Sequence, residues 1–205
     1  MEIACLDLEG VLIPEIWIRF AEQTGIEELK ATTRDIPDYD ELMKMRLSIL
    51  EKHGLGIREI QAVIAEMAPM PGARSFIDWL REHFQVVILS DTFYEFAQPF
   101  MRQLGFPTLL CHKLTVAESG HVEDYKIRQP DPKRCSVQAF HSLNYRVLAA
   151  GDSYNDTSML SEAEAGILFK APDNVIAEFP QFPAVDTYEA LKMEFCKASE
   201  RDLNP

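Results

Sequence analysis

The sequence predicts an α/β fold, a parallel sheet with helices on both faces, carrying an inserted helical segment and a small β-hairpin. Three observations lead there. Short apolar runs recur along the chain with helical patterns between most of them; one long stretch near the N-terminus breaks that alternation; and a Ser-Gly pair separates two alternating polar-apolar segments.

The first apolar run is Ile3 to Leu6, and the chain leaves it through "DLEGVL", where Gly10 permits a sharp exit. From Pro14 to Pro71 no strand pattern occurs. Ile57, Ile60, Ile64 and Met67 follow helical spacing, as do Leu42, Ile49 and Leu50, and "APMPGA" marks the return. The expected organisation is therefore a core of residues 1–13 and 72–205 with a helical cap, 14–71, inserted after the first strand. A helix over "GARSFIDWLREHF" then leads to the run "VVIL" at Val86 to Leu89, and another follows over "TFYEFAQPFMRQLG", with a kink expected at Pro99. "TLL" at Thr108 to Leu110 is the third run, and "KLTVAESGHVEDYKIR" reads as the hairpin. "DPKRCSVQAFHSL" gives a helix, "RVLAA" and "GILF" the last two runs, and "TYEALKMEFCKAS" a closing amphipathic helix. Together these amount to a Rossmann-like core.

At 205 residues, with 47% hydrophobic and 26% charged residues, the chain is long enough to bury a sizeable core. The formal charge of -13 opposes long-range attraction to nucleic acid or to an anionic membrane, so an anionic substrate needs locally placed positive charge. Met1-Glu2 and the short run after them do not read as a signal peptide, and no segment approaches the length of a membrane span. Cys5, Cys111, Cys135 and Cys196 lack the spacing of a zinc site or a disulfide framework. A reducing cytoplasm is the expected setting, with the protein a monomer or homodimer.

The chemistry gathers at strand ends, where ligands bind in open parallel sheets. Asp7 and Glu9 follow the first run, two like charges without a nearby Arg or Lys, and such a pair calls for a cation; Mg²⁺ is the oxygen-ligated choice that leaves coordination sites for phosphate. "GDSYND" follows the fourth run with Asp152 and Asp156. A capping arrangement from Ser153 to Asp156 explains that stretch equally well. Ser90 ends the second run, with the amides of Asp91 and Thr92 expected at the start of the next helix, open to an anion. Lys133 lies near a helix start, where the dipole disfavours a cation, and a solvated surface lysine is the plain reading.

In chain order these are Asp-x-Glu, Ser, Lys and Gly-Asp-x-x-x-Asp. That order resembles the haloacid-dehalogenase-like phosphohydrolase superfamily over nearly the whole span from Asp7 to Asp156. The inserted cap is similar to that of its phosphoserine phosphatase branch. "DLEGVL", "LSDTFYEF" and "GDSYND" further resemble the bacterial bifunctional members, which dephosphorylate phosphoserine and pass the phosphoryl group to homoserine. Two departures from the ordinary pattern stand out: Glu9 in place of Asp, and Asp91-Thr92 in place of Gly-Gly.

The resemblance implies Asp7 as nucleophile and Glu9 as general acid and base. It implies Mg²⁺ held by Asp7, the Glu9 carbonyl and Asp152, with Asp156 holding a metal-bound water or Lys133. Ser90, the Asp91 amide, Lys133 and Asn155 then cradle the phosphoryl oxygens, with Thr92 in support. From the cap, Arg46 pairs with the substrate carboxylate and Glu15 with its ammonium, although snorkelling and first-turn helix stabilisation explain those two residues as well. Trp17, Phe20, Phe93 and Tyr94 are core residues first and a gate to exclude water second. Two rivals share parts of the pattern: a capped phosphatase for another small phosphomonoester, and a phospho-receiver signalling domain. The receiver reading conflicts with the acceptor Asp ending the first strand and with the helical segment after it.

Overall fold

The computed structural model describes residues 1–32, 35–36 and 38–204. Thr33, Arg34 and Pro37, three positions of the expected cap, lie outside them. Seven strands form one sheet in the order β4-β3-β2-β1-β5-β6-β7. They are β1 (Glu2–Leu6), β2 (Gln85–Phe93), β3 (Thr108–Val116), β4 (Val122–Lys126), β5 (Arg146–Gly151), β6 (Ala165–Phe169) and β7 (Ala184–Val185). All pairings are parallel except β3 with β4.

β1 is buried along its whole length and alternates between two cores, as a strand covered on both faces must. Ala4 and Leu6 face the larger core, built with α4 (Ala73–His83) and α9 (Tyr188–Ala198). Ile3 and Cys5 face a smaller one, built with α6 (Pro132–Ser142) and α7 (Thr157–Glu162). The chain winds outward from β1 through β2 and β3, then returns to β5 on the other side of β1 and winds outward through β6 and β7. The order reverses between β1 and β5, and their carboxyl ends form the crevice where such sheets bind ligands.

Two strands run further than the sequence suggests. β2 continues past "VVIL" through Ser90, Asp91 and Thr92 to Phe93, with a register shift against β3 between Leu89 and Phe93. The expectation that Asp91 and Thr92 begin a helix is thereby corrected: α5 begins at Tyr94 and runs to Gln103, with Pro99 inside it. The apolar run at Thr108 and the first arm of the hairpin are one strand, β3.

Between β1 and β2 lie helices α1 (Ile16–Thr24), α2 (Tyr39–His53) and α3 (Ile57–Ala65), and a short 3-10 turn at Glu27–Lys30. The apolar faces of the three helices join the larger core, including Phe20, Met43, Leu50, Ile60 and Ile64. Where the chain leaves the sheet and where it returns are hydrogen-bonded together, Met70 N–H to the Leu12 carbonyl at 2.9 Å. The Tyr188 hydroxyl of α9 donates to the Val11 carbonyl at 2.6 Å, fixing the exit from below. On the far side, Ile57 N–H donates to the Gly120 carbonyl at the hairpin tip, and Tyr125 of β4 donates to Asp40 of α2.

Candidate active site

β1 and β5 are in register, and the Asp7 amide extends the pairing by donating to the Ala150 carbonyl at 3.0 Å. This sets Asp7 and Asp152 at adjacent strand ends. Ligand oxygens of Asp7, Asp152 and Asp156 lie within 4.8 Å of one another, and all three residues are buried. Gly10 makes that closeness attainable. Its φ is +78°, and a Cβ there would sit 2.5 Å from the Asp152 carboxylate carbon.

Asp7 Oδ1 accepts from the Leu8 amide at 2.7 Å and pairs with Lys133 Nζ at 3.0 Å, leaving Oδ2 with no hydrogen-bond donor among the described residues. Burial pushes the Asp7 carboxyl well above its usual range, and Asp156 adds to the rise, whereas Lys133 opposes it. Lys133 is no surface residue. It is buried at the second position of α6, where desolvation and the dipole disfavour its charge, yet Asp156 at 2.7 Å, Asp7 at 3.0 Å and Asp91 at 3.5 Å hold its ammonium well above the ordinary lysine value.

Asp156 serves two of the readings its sequence allowed. Oδ2 accepts from the amides of Asp152 and Ser153, capping the turn, while Oδ1 accepts from Lys133. Both oxygens are committed, so of the three clustered carboxylates Asp156 suits direct ligation of a metal least. Three carboxylates, those of Asp7, Asp91 and Asp156, surround a single lysine, and a fourth, Asp152, lies beside Asp7 and Asp156. An all-oxygen donor set with that excess of negative charge fits a hard divalent cation such as Mg²⁺.

The Glu9 side chain faces the helical segment. Its Oε2 accepts from the Ile16 amide at 2.9 Å, capping α1 where an anion suits the dipole, and the Thr92 hydroxyl beside it favours the ionised form. Burial, with the neighbouring Glu15 second, outweighs these bonds and pushes its carboxyl up to about 7. Glu15 is the N-cap residue of α1, where a negative charge suits the helix dipole, and its side chain makes no capping hydrogen bond.

Arg46 does not snorkel. It is 6% exposed, its guanidinium lies 4.5 Å over the Trp17 ring, and one terminal nitrogen donates to the Ala31 carbonyl at 2.9 Å. Its Nε is buried with no hydrogen-bond partner among the described residues. An unsatisfied donor on a buried cation costs about 1–3 kcal/mol or more, which an arriving anion offsets.

One cavity brings the expected residues together: Asp7, Glu9, Glu15, Arg46, Ser90, Asp91, Thr92, Lys133, Asp152 and Asn155 all line it, and Asp156 lies behind Lys133. Ser90 is buried, its Oγ accepting from the Thr92 amide at 3.2 Å. Asn155 is turned toward Asp91, donating to Oδ2 at 2.8 Å. Trp17 and Phe93 line the wall, whereas Phe20 and Tyr94 do not. The sequence reading missed Thr32, Tyr39, Leu42 and Ser153 in the lining, and His112 behind it. Tyr39 opens a capped helix after "PD", a signal available in the sequence. His112 sits mid-strand with nothing to mark it.

Comparisons with known proteins agree with this geometry. The profile of the haloacid dehalogenase-like hydrolases matches residues 6–161. The chain is 74% identical over 204 residues to phosphoserine phosphatase ThrH of Pseudomonas aeruginosa, covering 100% of both chains. It is 71% identical over 203 residues to a phosphoserine phosphatase of Pseudomonas syringae pv. tomato, covering 99% of this chain and 86% of that one. Among solved structures, an apo phosphoserine phosphatase superposes with a TM-score of 0.77 at 21% identity, over 93% of this chain and 98% of that one, a likeness of fold. With the profile spanning both acidic strand ends and the lysine between them, the chain belongs to the haloacid dehalogenase-like hydrolases.

Proposed function

We propose that this protein is a Mg²⁺-dependent phosphoserine phosphatase working through an aspartyl phosphate on Asp7, and that it also transfers the phosphoryl group to homoserine. The observation that carries the reading is the pairing, in one cavity, of an oriented Asp7 carboxylate with a buried arginine whose Nε lacks a partner among the described residues. The first suits attack on phosphorus. The second suits a substrate carboxylate.

In this reading Asp7 Oδ2 attacks phosphorus and the bond to the serine oxygen breaks. Lys133 and Ser90 bind the phosphoryl oxygens, and Lys133 keeps the opposite Asp7 oxygen fixed. Asp7 and Asp152, with the Glu9 carbonyl, would hold Mg²⁺, which when bound offsets the repulsion between carboxylate and phosphate dianion. Glu9, its carboxyl pushed up to about 7, holds protonated and ionised forms together near neutral pH, which suits it to give a proton to the departing serine and then accept one from the incoming water or alcohol. Arg46 orients the substrate carboxylate and Glu15 its ammonium, with residues 14–71 acting as the cap. Trp17 and Phe93 exclude water, which lets an alcohol compete for the aspartyl phosphate.

Incubation with phosphoserine, Mg²⁺ and homoserine, resolving serine, phosphate and homoserine phosphate, tests both halves. Serine release that Asp7→Asn abolishes is the expected result. Phosphate without homoserine phosphate removes the transferase half, and no serine from the unaltered protein removes the whole reading.

A further inference from the structure

Asp91 places a carboxylate beside the lysine that the Proposed function assigns to the phosphoryl group. Lys133 Nζ, 3.5 Å from Asp91 Oδ2, draws that carboxylate toward the space a phosphate dianion must occupy. Asn155 Nδ2 donates to that same oxygen at 2.8 Å, whereas His112 Nε2 lies 3.5 Å from the opposite oxygen, Oδ1, and pulls the other way.

His112 is built for that task. It is buried, and its Nδ1 accepts from the Arg128 amide at 3.2 Å, which leaves the ring proton on Nε2, the nitrogen facing Asp91. Tyr39 and Phe93 fix the ring, with centroids at 6.1 and 6.3 Å. The Tyr39 hydroxyl also donates to the Asp91 carbonyl at 2.8 Å, fixing the backbone of the same residue. Asp91 forms a wall between two spaces. It lines the catalytic cavity and also a neighbouring groove, and His112 borders the groove alone. His112, on the groove side and 3.5 Å from Oδ1, therefore draws the charge toward the groove.

We infer that His112 is a positioning residue for the phosphoryl site, keeping the Asp91 carboxylate out of the space that the phosphate enters. The inference rests on the phosphatase reading for its activity assay, but inorganic phosphate reports it independently of any turnover. Without His112, Asp91 is held by Asn155 and Lys133 and swings toward Lys133. It then competes with phosphate for that ammonium and repels the dianion.

The test is a double-mutant cycle on the full chain with Mg²⁺. His112→Phe keeps the ring packing and deletes both nitrogens. It should raise the KM for phosphoserine and the Kd for inorganic phosphate on the order of tenfold, with kcat changed far less, as one misplaced like charge at short range implies. His112→Gln, which keeps a donor for Asp91, should stay near the unaltered protein. Adding Asp91→Asn to His112→Phe should recover most of the lost affinity, because the misplaced charge is gone. His112→Asn, polar but too short to reach Asp91, gives the same reading should the Phe variant not fold. An unchanged phosphate Kd in the His112 variants, or a double variant as weak as the single one, overturns the inference. Failure of the unaltered protein to release serine is a separate result that strikes the functional reading.

Discussion

At the scale of single residues, the site depends on how closely two strand ends approach, and Gly10 sets that distance. Its φ of +78° is a region that side chains with a Cβ enter at a cost of about 1–2 kcal/mol. The steric problem is larger, since a methyl group there would overlap the Asp152 carboxylate at 2.5–2.7 Å. Asp152 is buried at the end of β5 and has little room to yield. Gly10→Ala should therefore displace one of the two carboxylates assigned to the metal, weakening Mg²⁺ affinity by tenfold or more, as loss of about 1.4 kcal/mol implies. Isothermal titration with Mg²⁺ reads this directly. Unchanged affinity in the folded variant would show that Asp152 does not serve the metal.

At the scale of elements, the helical segment is tied to the hairpin as well as to its own ends. Gly56, ahead of α3, lies against the hairpin tip so closely that a Cβ would come within 2.4 Å of the Gly120 carbonyl oxygen. Backbone at that distance cannot rotate away, so Gly56→Ala must separate α3 from the β3-β4 turn. The Ile57 amide then loses its 2.9 Å bond to Gly120. The expected cost is about 1–3 kcal/mol in urea unfolding, the usual range for overpacking a tight contact. Gly25→Ala is the control: it has positive φ but nothing within 4 Å, so it reports backbone strain without a collision. No measurable loss in Gly56→Ala would mean that the hairpin does not brace the helices.

The same elements show what the sequence makes legible. Apolar runs ending in Asp or Ser marked Asp7, Ser90 and Asp152, because a polar residue closing a buried run has few reasons to be there. Lys133 read as surface because its partners Asp7, Asp91 and Asp156 are remote in sequence, and only the sheet order brings them within 2.7–3.5 Å. Ser90 read as the end of the strand and Asp91-Thr92 as the start of the next helix, since all three residue types favour caps. The structure keeps them in β2, where Thr92 reaches Glu9 and Asp91 reaches His112. His112 lies within a strand whose pattern gives no hint of chemistry, and its role depends wholly on what β2 and α2 place beside it.

At the scale of the whole molecule, the two chain ends are locked together through one buried carboxylate. Glu2, on the central strand, accepts from the Glu200 amide at 3.0 Å and the Ser199 hydroxyl at 2.6 Å, and from Arg201 at 2.9 Å and Arg146 at 3.0 Å. Burial pushes its carboxyl up, but the bonds from Ser199, the Glu200 amide and Arg201 outweigh it and hold the group below its ordinary value of 4.5. A carboxyl depressed in the folded state adds stability that is complete above the unfolded value and disappears as pH falls through the folded one. Glu2→Gln should therefore cost about 1.5–3 kcal/mol near pH 7, the range for hydrogen bonds to a charged group. The difference from the unaltered protein should narrow as the pH is lowered below 4.5. Urea unfolding of both proteins across that range measures the gap. A gap independent of pH would mean that the tail is held by shape and packing, with the charge on Glu2 incidental.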